Sequence, residues 1–144
     1  MIYIFDIDGT LSSCSHRLHL IQKEPKDWPA FFAAATADVP IWEIITVARA
    51  LSAAAHEVVL MTGRPESSRA LTVAWMGKYR VPFSRLLMRK EGDHREDFVI
   101  KAELLESPVF LGGKLGGVFE DRQQNVDMFR EKGLKVFQVD KGAY

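Results

Sequence analysis

Ile2-Tyr3-Ile4-Phe5-Asp6-Ile7-Asp8-Gly9-Thr10 is the stretch whose reading decides the fold. Ile2 to Phe5 are nearly all apolar and rich in β-formers. So short a run, apolar in both alternating positions, reads as a strand buried on both faces, the kind found in parallel sheets. Asp6 to Thr10 then turn polar around a glycine, which places two carboxylates just past the strand's carboxyl end. Val58 to Met61 repeat the pattern before Thr62-Gly63-Arg64-Pro65, and Val118-Phe119 repeat it before Glu120-Asp121. Leu86 to Met88 and Leu134 to Val139 supply two further strands, for five in all.

Helical patterns separate these runs. Ile41, Ile44, Ile45, Ala48 and Leu51 recur at helical spacing after Pro40. A second helix is expected from Glu66 to Tyr79 with Leu71, Ala74 and Trp75 inward. A third is expected from Phe98 to Glu106, stopped by Pro108, and a fourth from Gln123 to Lys132, with Gly133 as its C-cap. The glycine-rich stretch from Pro108 to Gly117 reads as a loop, with Val109 to Leu111 a possible minor strand. The alternation specifies an α/β, Rossmann-like fold: a mostly parallel five-stranded sheet with helices on both faces. Residues 12–39 break the rhythm and read as a short helical or irregular insert over the sheet edge, within one domain spanning 1–144.

In such sheets ligands bind beyond the carboxyl ends of the strands, which is where Asp6, Thr62 and Asp121 fall. Positions i and i+2 of a strand share a face, so Asp6 and Asp8 can reach one small site. Two such carboxylates repel and favour a bound cation or a shared proton; oxygen ligands beside a phosphate point to Mg²⁺. Asp6 is then the candidate nucleophile and Asp8 the general acid and base. Thr62 and the N–H groups around Gly63 can hold phosphate oxygens, though a threonine after a strand also serves as a turn or helix cap. Lys101 can neutralise both Asp6 and the transferring phosphoryl group. Asp121 and Glu120 are the further metal-ligand candidates, an acidic helix start being the plainer alternative. Arg17, Arg64, Arg89 and Arg95, with His16, are candidates for a rim gripping phosphate, against the reading of ordinary solvated arginines. His94 either pairs with Asp93 or touches substrate. Trp28, Phe31 and Phe32 either stack a base or fasten the insert to the core. Asn125 faces the site only if the last helix starts at once; Asp127 reads as a solvated helix residue.

Composition narrows the class. Lys plus Arg number 19 and Asp plus Glu number 19, so the chain lacks the bulk positive field of a general nucleic-acid coat. Hydrophobic residues at 47% are enough for a core without disulfides, and Cys14 has no intrachain partner. A cytoplasmic setting is expected, with no membrane segment, no signal peptide and no inferable protein partner.

Taken together, Asp6-Ile7-Asp8-Gly9-Thr10, Met61-Thr62-Gly63-Arg64, Lys101 and Glu120-Asp121-Arg122 resemble the four motifs of the haloacid-dehalogenase-like (HAD) hydrolases, in order and across nearly the whole chain. The resemblance implies an aspartyl-phosphate on Asp6, acid–base work by Asp8, phosphate contacts from Thr62 and Lys101, and a Mg²⁺ site built from Asp6, Asp8, Glu120 and Asp121. Many members carry an aspartate where this chain has Asn125, which shifts weight in the outer metal shell to Glu120. Residues 86–101 and 119–139 further resemble the phosphatase domain of bacteriophage polynucleotide kinase. That likeness implies removal of 3′-terminal phosphates from nucleic acid. No G-x-x-x-x-G-K-[ST] loop accompanies it. A phosphatase for free nucleotides or small phosphoesters is the neighbouring alternative, and a non-catalytic phosphate-binding module the alternative from another class.

Overall fold

The computed structural model describes residues 1–142. In chain order it contains β1 (Ile2–Phe5), β2 (Ser12–Ser13), α1 (Trp28–Ala33), β3 (Val39–Pro40), α2 (Trp42–Ala53), β4 (Glu57–Pro65), α3 (Arg69–Lys78), β5 (Arg85–Arg89), α4 (Asp97–Leu104), β6 (Leu115–Glu120), α5 (Gln123–Glu131) and β7 (Val136–Gln138). Among the described residues, five strands form one parallel sheet in the order β5-β4-β1-β6-β7. The chain fills one side of β1 and then crosses to the other. The order therefore reverses at β1, and a cleft opens beyond its carboxyl end.

Alternation along the strands divides the core. Phe5 and Leu60 point to one face, where they meet Ile45, Trp75 and Met76 from α2 and α3. Ile4 and Met61 point to the other, where they meet Val126 and Phe129 of α5. Both faces are covered, so the central strands need no polar positions until they end. Phe5 stacks on Phe119 of the neighbouring strand, with ring centroids 4.3 Å apart. Truncating a fully buried side chain such as Leu60 to alanine costs about 2–5 kcal/mol.

The elements differ from the sequence reading in instructive places. β4 does not stop before Thr62 but runs to Pro65, with a register shift between Thr62 and Pro65. The second predicted helix opens as a 3₁₀ turn over Glu66–Ser68. In α3, Leu71 and Ala74 face outward, while Thr72, Trp75 and Met76 face inward. Thr72 is drawn inside because its hydroxyl accepts a hydrogen bond from Arg64 at 3.0 Å. Val109 lies in a 3₁₀ turn, Pro108–Phe110, rather than a minor strand.

The insert is a helical flap held by its own small core. A 3₁₀ turn (Ser15–Leu20) and α1 bury Cys14, Leu18, Ile21 and Phe31. β2 and β3 close its base as a two-residue antiparallel pair. Trp28 stacks on Phe32, while Phe31 lies under the Arg17 guanidinium, 4.1 Å from it to the ring centroid. Phe31 thus belongs to the flap's packing. No helix among the described residues is long and apolar enough to cross a membrane.

Candidate active site

The turn after β1 is wound around one carbonyl. Thr10, Leu11 and Ser12 all donate their N–H groups to the Ile7 oxygen, at 3.1, 2.9 and 3.0 Å. Gly9 sits at φ +85° within this turn, where a side chain is strained. A Cβ there would also fall 2.2 Å from Asp121 Oδ2, so the glycine is what lets the β1 and β6 ends meet.

Asp6 is 5% exposed at that junction. Its Oδ1 accepts from Lys101 Nζ at 2.7 Å and its Oδ2 from the Thr10 hydroxyl at 3.2 Å. Lys101 stands on α4 and is itself buried. Its ammonium also meets Glu120 Oε2 at 2.7 Å and Asp97 Oδ2 at 3.4 Å. Glu120 uses its other oxygen to accept the Asp121 and Arg122 N–H groups, both at 3.1 Å, ahead of α5. Asp6, Glu120 and Asp121 each bring a carboxylate oxygen within 4.8 Å of the others. Burial first, and then the neighbouring Glu120, push the Asp121 carboxyl up to about 7. The same two causes raise Asp6 well above the ordinary carboxylate range. Lys101 is raised as well: burial opposes its charge, but Asp6, Asp97 and Glu120 overcome it.

Such a set fits a divalent cation. Its oxygens are hard ligands, its negative charge exceeds what Lys101 supplies, and Asp121 Oδ1 is buried without a hydrogen-bond partner among the described residues. Asn125 turns into the same site because α5 begins immediately after the acidic pair. Its amide donates to Asp97 Oδ2 at 2.8 Å and to Glu120 Oε2 at 3.2 Å. Asp127 is exposed, as its helix position suggests, and accepts from Gln123.

Asp8 occupies a different environment. Arg64 reaches it with two donors, at 3.1 and 2.6 Å, and Arg17 adds a third. Asp38, on the segment leading into β3, completes the set. It accepts from Arg17 Nε at 2.8 Å and from Arg17 Nη2 at 2.7 Å, and it also accepts from Ser12 and contacts His16. Burial favours the neutral Asp8 carboxyl, but Arg64 and then Arg17 overcome it and hold the group well below the usual carboxylate range.

Each arginine of the expected rim has partners within the protein. Arg17 and Arg64 are 1% and 3% exposed and are spent on Asp8 and Asp38. Arg89 donates to the carbonyls of Gly63, Asp93 and Arg95 and so fastens the loop after β5 to the β4 end. Arg95 is paired with Asp93 and Glu103, which also settles the partner of Asp93. Arg17 and Arg64 meet carboxylates from distant segments, whereas Arg95 and most of the Arg89 bonds stay within the loop after β5 and the helix α4 that follows it. Thr62 is buried at the β4 irregularity, its hydroxyl accepting the Arg64 N–H at 3.1 Å. Gly63 passes so close to α4 that a Cβ would fall 2.0 Å from Asp97 Oδ1.

Sequence reasoning missed two acids. Asp97 lies four residues before Lys101, a helix-face ion-pair spacing that was legible. Asp38 carries no local signal, since its partners lie 21 and 26 residues away.

A parallel sheet reversing at β1, with these acids and this lysine at its carboxyl edge, defines a haloacid-dehalogenase-like hydrolase. The family described as polynucleotide kinase PNKP phosphatase domain matches residues 1–144, and the chain belongs to it. That family is described as a phosphatase domain. A chain in a structure of a Pnkp1/Rnl/Hen1 complex is 31% identical, with a TM-score of 0.82 over 99% of this chain and 47% of that one. A chain in a Pnkp1/Rnl/Hen1 RNA repair complex is 30% identical, with a TM-score of 0.83 over 99% and 43%. This chain thus spans less than half the length of those relatives. The class C acid phosphatase of Bacillus anthracis with tungstate bound shares the fold at 10% identity, with a TM-score of 0.74 over 99% of this chain and 67% of that one.

Proposed function

We propose that residues 1–144 act as one cytoplasmic phosphatase domain that uses Mg²⁺ to remove the 3′-terminal phosphate of a nucleic acid through an aspartyl-phosphate on Asp6. The observation that carries the chemistry is the pairing of Asp6 with Lys101 inside a buried, cation-seeking acid cluster. Asp6, Asp8, Glu120 and Asp121 are the residues proposed to hold the metal. When bound, Mg²⁺ supplies charge neutralisation for a negative nucleophile meeting a negative phosphate.

Asp6 attacks phosphorus, the P–O bond to the leaving sugar breaks, and the leaving oxygen takes a proton from Asp8. Water then attacks the acyl phosphate, the bond to Asp6 breaks, and Asp8 accepts the water's proton. Lys101 stays against Asp6 throughout, while Thr62 and the N–H groups flanking Gly63 receive the phosphate oxygens. The two guanidiniums set a condition on Asp8. Held ionised, it is ready as the base of the second step; to act as the acid of the first it must loosen from at least one arginine and take up a proton from solvent.

The nucleic-acid end is supported by family membership. A cleft of about 210 Å³ lies beside the acid cluster, between Gly9, the flap, Asp121 and the segment Asp140 to Gly142. The decisive assay compares 3′-phosphorylated and 5′-phosphorylated oligonucleotides, 3′- and 5′-mononucleotides and an aryl phosphate with Mg²⁺. Preference for the 3′-phosphorylated oligonucleotide is expected; equal turnover of all of them sinks the substrate assignment. The relatives' presence in Pnkp1/Rnl/Hen1 complexes supports the further proposal that this chain works beside other RNA-end enzymes.

A further inference from the structure

The cleft has a second wall that the chemistry above does not use. Beyond β7 the chain turns back over the β6–α5 junction. Val139 donates its N–H to the Glu120 carbonyl at 3.0 Å, and the Gln138 amide reaches the Asp121 carbonyl at 3.4 Å. Gly142 then runs so close that a Cβ would fall 3.0 Å from Arg122 Cα and 3.1 Å from the Asp121 oxygen, at φ +74°. Only a glycine passes there without strain. The result is that Lys141 lines the cleft beside Asp121 and Gly9, along with Ser13 and Ser15 of the flap and with Asp140, whose Oδ1 accepts the Lys141 backbone N–H at 2.7 Å. Ser13 and Ser15 join their hydroxyls at 3.1 Å and form a pair of polar groups on that wall.

Lys141 differs from the other cations around this site. Arg17, Arg64 and Lys101 are committed to Asp8, Asp38, Asp6 and Glu120. Lys141 is exposed and makes no ion pair among the described residues. A polymer end carries a second phosphate, a diester, next to the one removed. A free mononucleotide carries none. A compact ammonium on a flexible stem suits a phosphate approaching from varied angles.

We infer that Lys141, with the Ser13 and Ser15 hydroxyls, forms a subsite for the phosphodiester adjoining the scissile phosphate, and that this subsite makes the enzyme prefer a polymer end to a mononucleotide. The inference rests on the 3′-end reading above and names the group that enforces it.

Steady-state kinetics of wild type, Lys141→Ala and Lys141→Arg are measured on a 3′-phosphorylated oligonucleotide and on a 3′-mononucleotide. Lys141→Ala lowers the oligonucleotide-to-mononucleotide ratio of kcat/KM about fivefold, the scale of one exposed charge pair. The change lies in KM, fades at high salt, and is restored by Lys141→Arg. An unchanged ratio overturns the subsite. Binding of a 3′-hydroxyl oligonucleotide, the reaction product, is followed by fluorescence anisotropy in the same proteins. If the wild type fails to turn over the 3′-phosphorylated oligonucleotide, the parent reading falls, and this binding series still decides the subsite. Weaker binding by Lys141→Ala supports it, and equal binding removes it.

Discussion

Around Asp6 three buried carboxylates share one lysine, whereas around Asp8 two buried carboxylates are matched by two guanidiniums. The two aspartates are separated by a single residue, yet burial raises one and arginines depress the other. The first half is short of positive charge, which the proposed cation would supply. The second half is balanced in charge and buried, its two guanidiniums held against Asp8 and Asp38. Opposite surroundings would separate the proposed roles of nucleophile and proton carrier without separating the two aspartates in space.

The contrast breaks most visibly in turnover. Asp6→Asn keeps the shape and removes the nucleophile, so kcat falls on the order of a thousandfold or more. A variant turning over at the wild-type rate would remove Asp6 from the mechanism. The neutral half breaks in stability. Arg17→Met leaves Asp8 and Asp38 short of one guanidinium in a buried setting, which costs about 3–5 kcal/mol in urea unfolding. Arg17→Met combined with Asp38→Asn recovers part of that loss if the two form one network. Strict additivity would show that they do not.

Magnesium sharpens the other side. At a hundredfold excess over its dissociation constant it stabilises the folded protein by about 2.7 kcal/mol. Asp121→Asn should abolish most of that gain, and an undiminished gain would move the metal elsewhere. The smallest effect is in pH. Asp8 lies below its ordinary value, so its contribution is complete above about pH 4 and is lost only as pH falls further. Asp121, raised to about 7, has the opposite sign: stability is present below the ordinary carboxylate value and lost as pH rises through about 7. Without magnesium, Tm should therefore fall by on the order of 5 °C between pH 5 and 7.5. The same slope in Asp121→Asn would assign the effect to another group.

The two halves were not equally legible. Asp6, Thr62, Glu120 and Asp121 each follow or end a short apolar run, and burial on both faces announces a strand end from the sequence alone. The Asp8 half has no such signature. Arg17 meets Asp8 across nine residues and Asp38 across 21, and Arg64 meets Asp8 across 56. Read singly, those arginines looked like a phosphate rim.

By itself, then, the sequence determined the parallel sheet, the strand ends that carry Asp6, Thr62 and Asp121, and the residue types gathered there, because strand periodicity is a local property of the chain. Tertiary structure alone decided which charges are used up. It turned Arg17 and Arg64 inward onto Asp8, brought Asp38 and Asp97 to the site, and set Lys141 at the mouth. Ion pairing depends on which distant loops fold back to share one buried volume, and no spacing within a segment encodes that.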